Sequence, residues 1–474
     1  MMGIQPLVLW TDLLLFGLLG CMALAAWSAR GSEPMRAAWR RVGESGVGMT
    51  ALSLLMLFLA VGVLDSLHYR ERLAPTAGGP AAADARAQLS TEVRSALDAL
   101  AAPLRTRVEK TYSAPLAYQL FSRQTVEGPD GIQRREFPRL KFGGASVKYP
   151  EEDLSGDIVG RIGMGLAMAA VTWAVFAAVL VKGVAMSRRV PVGAAWRAIW
   201  RGKGGLAWRA VLATLGVMCL LIGPLAALAT EYHVFGTDKV GQDVLFLTLK
   251  SIRTALVIGT LTTLVTLPLA VVLGILAGYV GGWVDDAIQY IYTVLNSIPS
   301  VLLIAAAVLM MQVVIDTHPQ WFETAAERAD ARLLALCVIL GMTSWTSLCR
   351  LLRGETLKLR ELEYVQAARA FGVSTTRILA RHVLPNLMHL VLIALVMDFS
   401  GLVLAEAVLS YVGIGVDPGT VSFGTMINAA RMELAREPMV WWSLVAAFIF
   451  MFVLVLAANL FADAVRDAFD PRAS

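Results

Sequence analysis

Few residues in this chain have the type and spacing for chemistry, and those that do stand in unusual places. Asp398 and Glu406 lie inside one apolar run, 386–413. A carboxylate there is expensive and must face protein or water. It can bind a cation, gate a path or tie a neighbouring helix, and the tie is the simpler reading of both. His389 in the same run reads as a packed histidine. Gly202-Lys203-Gly204 lacks the rest of GxxxxGK[ST], so no P-loop for ATP is expected. No HExxH, GxSxG or paired-acid hydrolase pattern occurs. Cys21, Cys219, Cys337 and Cys349 show neither metal nor disulfide spacing.

The most informative stretch is polar. Residues 361–385 separate the apolar runs 333–349 and 387–413. Glu361 and Glu363 suit the positive start of a short helix, and Ala367 and Ala368 give it a small packing face. Gly372 fits the position just past a helix end, where φ is often positive. Ser374 fits a cap for a second short helix, from about Thr375 to Leu384. Pro385 then stops that helix or starts the next span in its first turn. Two short helices joined at an angle are expected. They read equally well as an amphipathic pair on lipid headgroups or as a docking surface.

The elements that position this loop are membrane spans. Of 474 residues 57% are hydrophobic and 16% charged, with mean hydropathy +0.64. Soluble chains carry about a quarter charged residues, so this is an integral membrane protein. Its net charge of +5 collects in particular loops and marks topology rather than nucleic-acid binding. Spans need about 20 apolar residues. Nine candidates run over 7–29, 49–68, 158–186, 209–229, 249–280, 286–314, 332–350, 386–413 and 440–464. Leu18-Leu19-Gly20-Cys21 loosely resembles a lipoprotein cleavage box, but no Lys or Arg precedes Arg30, so an uncleaved span is expected there. The basic loops 30–48, 187–208 and 351–385 fall on one side, the cytoplasm, if every run crosses once. The N-terminus is then outside and the C-terminus inside.

That topology places 69–157 outside. Pro75, Gly78, Gly79 and Pro80 form a lead-in. Leu89, Val93, Leu97, Leu100, Leu104 and Val108 make an apolar stripe that predicts a helix within 81–110. Beyond Gly128-Pro129-Asp130-Gly131, a shorter β-rich part is expected around Phe137–Tyr149. Pro268 falls within the run 249–280, where neighbouring helices can re-satisfy the freed carbonyl.

Several motifs carry a resemblance. Gln366-Ala367-Ala368, Gly372 and Leu384-Pro385 resemble the EAA loop of ABC importer permeases, with Gln366 where that family has Glu. Gly236-Thr237-Asp238 through Gly241-Gln242-Asp243-Val244 resembles the GTDxxGRDV signature of the oligopeptide/dipeptide (OppC/DppC-like) type. Gly278-Tyr279 with Gly281-Gly282-Trp283-Val284-Asp285, and Ile298-Pro299-Ser300, resemble further elements of those permeases. So do Leu404-Ala405-Glu406 with Leu409-Ser410-Tyr411 and Gly413, and Val465-Arg466-Asp467-Ala468 with Asp470-Pro471-Arg472. The likeness covers about 209–472 in order.

This resemblance implies an all-α integral membrane protein with a six-helix type I ABC importer permease core. Three extra N-terminal transmembrane helices and a small extracytoplasmic segment precede the core. The parts are then 1–68 with two spans, 69–157 outside, 158–208 with a third span and basic linker, and 209–474 as the core. The resemblance implies a non-catalytic subunit forming half of a pore for peptides or similar small solutes. It implies a second permease subunit, two ATPase subunits that hold the ATP and Mg, an extracytoplasmic binding protein and a bacterial inner membrane. This chain itself is expected to bind no cofactor or metal. The coupling residues are then Glu363, Gln366, Ala367, Ala368, Gly372, Leu384 and Pro385. Pro299 and Glu406, within these motifs, and Asp398, as an intramembrane acid outside them, are the candidates for a pathway or gate. Gly236, Thr237, Asp238, Gly241 and Asp243 form the extracytoplasmic motif. A different class of function, a membrane sensor or scaffold using 69–157 as its binding surface, also fits. Co-purification with ATPases and a binding protein separates the two.

Overall fold

The computed structural model describes residues 4–29, 31, 33–72, 89–127, 133–202 and 205–469. The lead-in Pro75–Pro80, the turn Gly128–Gly131, Lys203-Gly204 and Asp470-Pro471-Arg472 lie outside the described residues. In chain order the elements are β1 (Ile4–Leu7), α1 (Trp10–Ala29), α2 (Glu33–Glu44), α3 (Gly46–Asp65), β2 (His68–Arg72), β3 (Leu89–Ser95), α4 (Ala96–Leu100) and α5 (Ala102–Thr106). Next come β4 (Gln124–Glu127), β5 (Gln133–Glu136), α6 (Pro150–Arg188), α7 (Val192–Trp200), α8 (Trp208–Ala229), α9 (Val244–Val280), α10 (Gly282–Ser297) and α11 (Ser300–Thr317). The last are α12 (Ala325–Ser344), α13 (Thr346–Arg360), α14 (Glu363–Ala370), α15 (Thr375–Ile378), α16 (Leu384–Val412), α17 (Phe423–Glu433) and α18 (Trp442–Phe469).

Among the described residues, seven helices are long and apolar enough to span a bilayer by themselves: α3, α6, α8, α9, α11, the helix entering and including α16, and α18. An eighth arises if α12 and α13, bent by 40°, are one span, and the apolar part of α1, Trp10–Leu24, is shorter. The expected run 286–314 is not one helix. Proline disfavours helical backbone at the preceding residue. Ile298 is extended (ψ 131°), so α10 stops there and α11 starts afresh after Pro299. Pro268, by contrast, lies within an unbroken α9.

The chain divides into two compact units. The first comprises Met1–Leu7, Arg36–Arg253 and Val421–Ala464. In it α6 crosses α8 closely. A Cβ on Gly165 would lie 2.6 Å from Pro224 Cα, and one on Gly223 2.8 Å from Ala169 Cβ. Small residues let helix backbones approach where lipid offers no hydrophobic drive between helices. Thr214 Oγ1 donates to Thr50 Oγ1 at 3.2 Å, linking α8 to α3. Lys250 Nζ near the start of α9 lies 3.2 Å from Asp65 Oδ1 and 2.9 Å from Asp98 Oδ1. One ammonium thus joins α9, the end of α3 and the cap of α4.

The segment after α3 departs from the expected helix within 81–110. Residues 89–95 form β3, which pairs antiparallel with β2, and β2 pairs with β1. Leu89, Val93 and Leu97 are four apart, a spacing that suits a period of 2 as well as 3.6. Thr91 and Val93 favour the strand. A capping box of Ser95 and Asp98 then opens α4. The β structure expected around Phe137–Tyr149 falls earlier, in the hairpin of β4 and β5. Residues 137–149 are irregular, with one bridge, Gln119 to Arg139.

The second unit comprises Val8–Met35, Thr254–Thr420 and Val465–Ser474. Leu15 of α1 is buried with Val257, Ile258, Leu261, Leu336 and Leu340. Asp330 accepts the Thr11 backbone N–H at 3.1 Å and also the Thr11 hydroxyl. A carboxylate at the positive end of α1 is favourable, so α12 caps the first helix of the chain.

Candidate functional site

The loop 361–385 is built from its capping chemistry. Glu363 opens α14 after an extended Leu362, and Val365 is buried while Ala368 is half-buried. The helix ends in a Schellman motif. Gly372 N–H donates to Arg369 O (3.0 Å) and Val373 N–H to Ala368 O (3.1 Å), with Gly372 at φ +73°. Among the described residues nothing lies within 4 Å of a Cβ added at Gly372, so its backbone conformation is what demands glycine there. Gln366 Nε2 donates to Glu361 O and Glu361 Oε2, both at 3.3 Å. An acid at 366 would face that carboxylate. The amide fits this loop better.

The second short helix is not separate. Ser374 stands at the start of α15, but its side chain makes no cap bond. α15 continues through a π turn, Leu379–Val383, into α16, and Pro385 lies in the first turn of α16. Proline has no N–H for the fourth carbonyl back, and a π turn is one way a helix absorbs this. Asn386 Nδ2 donates to His382 O (2.6 Å) and to Tyr364 Oη (3.1 Å). That bond ties α14 to the root of the span. The remaining face of α14 carries Glu363, Ala367, Ala370 and Phe371, all exposed, with Phe371 87% exposed. Sequence reading missed Phe371. Its spacing of eight from Glu363, which puts both on one helical face, was the available signal.

The supports of this loop come from the turn Gly278–Asp285. Gly281 and Gly282 have φ +69° and +58°. Cβ atoms on Gly274 and Gly278 would lie 2.8 Å from Cys349 O and 2.6 Å from Thr356 Cβ, so α9 and α13 touch backbone to backbone. Arg353 Nε and Nη2 donate to Asp285 Oδ1 and Oδ2, each at 2.6 Å. That bidentate fork joins α10 to α13 and holds the Asp285 carboxyl below the usual range. Arg360 Nη1 donates to Tyr279 O at 3.4 Å. Between these elements and α14 opens a cleft of about 700 Å³, lined by Tyr279, Arg360, Glu361, Gln366 and Arg369 among others.

The motif 236–243 belongs to the first unit and receives the segment 107–147. Thr237 Oγ1 donates to Thr111 O (2.9 Å) and accepts from Ser113 N–H (2.6 Å), while Trp442 Nε1 donates to Thr237 O (2.9 Å). Asp238 Oδ1 accepts the N–H groups of Val240 and Gln242. Glu109 N–H donates to Gly241 O at 2.9 Å. Asp243 Oδ1 accepts the Leu245 N–H at 2.8 Å, capping α9, and Oδ2 meets His233 Nδ1 at 2.8 Å. His233 Nε2 lies 3.6 Å from Glu109 Oε1. Glu109 also accepts N–H groups of Lys141, Phe142 and Gly143.

Burial opposes the imidazolium, but the hydrogen bond to Asp243 and the nearby Glu109 carboxylate outweigh it and push the His233 pKa up to about 9. Burial likewise opposes the Glu109 carboxylate, yet His233 and the three backbone donors bring its pKa down to about 2. The stability from His233 is complete below its unfolded value, about 6.5, and is lost as pH rises through about 9. That from Glu109 is complete above about 4.3 and is lost as pH falls through about 2. Hydrogen exchange at the amides of Lys141, Phe142 and Gly143 is therefore expected to be slowest near pH 5–6, after correction for intrinsic rates. Equal corrected protection at pH 6 and pH 10 would contradict the buried imidazolium.

The three pathway or gate residues share no hydrogen bond. Pro299 starts α11. Glu406 is buried, and Ser410 Oγ donates to its Oε1 at 2.6 Å within α16. Ser410 Oγ also accepts the Val416 N–H at 3.4 Å, and Gly413 ends the helix at φ +87°. The run Glu406–Gly413 thus builds a helix terminus. Asp398, half-buried in mid-span, makes no hydrogen bond or ion pair among the described residues.

Residues 270–474 match the family described as binding-protein-dependent transport system inner membrane component. The oligopeptide transport system permease protein OppC of Mycobacterium tuberculosis is 34% identical over 239 residues, covering 50% of this chain and 76% of that protein. The dipeptide permease DppC of Lactococcus lactis is 32% identical, covering 52% and 65%. The glutathione permease GsiD of Pectobacterium atrosepticum is 32% identical, covering 51% and 73%. A chain of the inward-facing MetNI methionine ABC transporter matches at TM-score 0.34 and 16% identity, over 47% of this chain and 97% of that one.

Proposed function

Because the chain belongs to the inner-membrane permeases of ABC importers of the oligopeptide/dipeptide type, we propose that it forms half of a pathway for peptides or similar small solutes. A second permease completes the pathway, a binding protein delivers the solute, and two ATPase subunits hold the ATP and Mg. In this reading α14 docks on an ATPase subunit, with its basic flanks in the cytoplasm. The observation that carries the reading is the face Glu363, Ala367, Ala370 and Phe371. The described residues leave it uncovered, while Val365 is buried on another side of α14 and the Asn386–Tyr364 bond ties α14 to α16. Closure of the ATPases on ATP then moves α14 as a rigid body, and the tie through Asn386 and the continuous π turn pass that motion to α16.

Phe371→Ala tests this. No described residue depends on an 87% exposed ring, so insertion and pairing with the second permease should persist. Aromatic anchors at interface centres contribute on the order of 2 kcal/mol or more. ATPase affinity and ATP-driven uptake should therefore fall roughly 30-fold. Gly372→Trp should act alike by straining the left-handed turn. Undiminished uptake in both variants would remove the coupling role.

A further inference from the structure

Asp157 and Glu231 are successive acids, and residues 158–230 between them hold eight Lys or Arg and no Asp or Glu. Seven of the eight fall within 182–209, where α6 ends and α8 begins. Charge at the ends of spans sets topology and needs no structure of its own. Here the charge is carried by a built helix, α7.

One face of α7 lies on the span ends. Ala195 and Ile199, one turn apart, are buried with Val184 and Ala185 from the end of α6 and with Leu212 from the start of α8. The described residues leave its other faces uncovered. Val192, Trp196 and Trp200 recur every four residues as an exposed apolar stripe, the two rings edge to face at 5.8 Å. Arg197 and Arg201 form the exposed strip beside it, and Arg201 makes no hydrogen bond or ion pair among the described residues. The same end of the bundle carries α2. Gly43 O accepts the Ala207 N–H at 2.7 Å just before α8, and α3 starts at Gly46. Residues 36–44 bury Ala38 and Val42 and expose Arg36, Trp39 and Arg41. Against its three Arg, α2 has Glu33 and Glu44, and Glu44 is taken up by Arg40 at 3.0 Å.

Depth and charge select the occupant. The end of α6 and the starts of α3 and α8 hold α7 and α2 at the edge of the apolar slab. Indole rings favour that depth, and a helix with an apolar stripe beside a basic one lies in the headgroup plane. A soluble partner would have to displace lipid to reach Val192, Trp196 and Trp200. Guanidinium groups at this level meet lipid phosphates, and an anionic headgroup brings no cation of its own to oppose them.

We propose that Arg36, Arg41, Trp196, Arg197, Trp200 and Arg201 form a collar that binds anionic phospholipid headgroups at one end of the first unit. The bound lipid holds α7 against the span ends. The inference does not rest on the importer reading, because it uses only α2, α7 and the ends of the spans they join.

The test is hydrogen exchange of the full chain in nanodiscs of phosphatidylcholine alone and of equal phosphatidylcholine and phosphatidylglycerol. Protection of the α7 amides should rise about tenfold with phosphatidylglycerol in the wild type, since each basic side chain near an anionic surface counts for about fivefold. Much of that rise should vanish in high salt. In Arg197→Gln with Arg201→Gln the rise should shrink to about twofold or less. Amides in the middle of α6 and α8 should exchange alike in both proteins, which shows that the variant folds. No rise in the wild type, or an equal rise in the double variant, overturns the proposal. Inorganic phosphate that produces the same protection in phosphatidylcholine nanodiscs also overturns it, assigning the arginines to a soluble anion.

Discussion

Asp285→Ala is expected to abolish most ATP-driven uptake while the chain still inserts into the membrane. Its carboxylate takes both arms of the Arg353 fork at 2.6 Å, and the two side chains are 14% and 24% exposed. Removing one member of a buried pair strands the other charge at a cost of about 3–5 kcal/mol. The partial exposure brings this to roughly 2 kcal/mol, since water screens the stranded charge. The functional loss should exceed the stability loss because of what the pair joins. α13 leads through Glu361 into α14, and α10 leads through Pro299 into the span α11. Without the fork, α14 can move while α10 stays. Arg353→Lys keeps charge but loses the planar match and should be intermediate. The exchange Asp285→Arg with Arg353→Asp should recover part of the uptake. The lowered Asp285 pKa adds a sign. The contribution is present above about pH 4 and fades only as pH falls below it. Wild-type uptake and thermal stability from the two single variants and the exchange decide the matter. Full uptake in Asp285→Ala would separate this turn from coupling.

The glycines of that turn were legible in the sequence, but their partner was not. Gly278, Gly281, Gly282 and Asp285 stood out as a motif, yet Arg353 lies 68 residues away, where the sequence marks only a basic loop. The same limit hid His233, whose acids lie 10 and 124 positions off. Local chemistry read well. Glu363 at the start of α14 and the positive φ of Gly372 follow from capping rules that involve a few neighbours. Where two periods coincide, reading failed, as at Leu89 and Val93, which satisfy a strand and a helix alike. It also failed where apolar length masked a break. The residues 286–314 are apolar enough for one span, but Pro299 imposes an extended Ile298 and makes two helices. Side-chain exposure was the least legible property. Phe371 looks like a core residue by composition, and only the fold shows its ring uncovered.

Gly241→Ala is expected to detach the segment 107–147 without unfolding the second unit. Two independent costs meet at this position. Its φ of +81° costs an L-residue about 1–2 kcal/mol. A Cβ there would also overlap the Glu109 carbonyl, and backbone cannot swing aside as a flexible side chain can. Relief requires Glu109 to withdraw. That breaks its N–H bond to Gly241 and moves its carboxylate away from His233 and from the amides of residues 141–143. A buried imidazolium left with Asp243 alone is less well compensated, so the loss should spread beyond the contact. Hydrogen exchange should rise at least tenfold across 109–116 and 139–147, the size expected when about 1.4 kcal/mol of local stability is removed. Amides of α12 and α16 should keep their wild-type rates, since neither element lies in the first unit. Gly372→Ala is the matched control, with the same kind of φ and open space around the added methyl, and it should leave 109–147 untouched. Unchanged protection of 109–147 in Gly241→Ala would mean that the segment is not held by this motif.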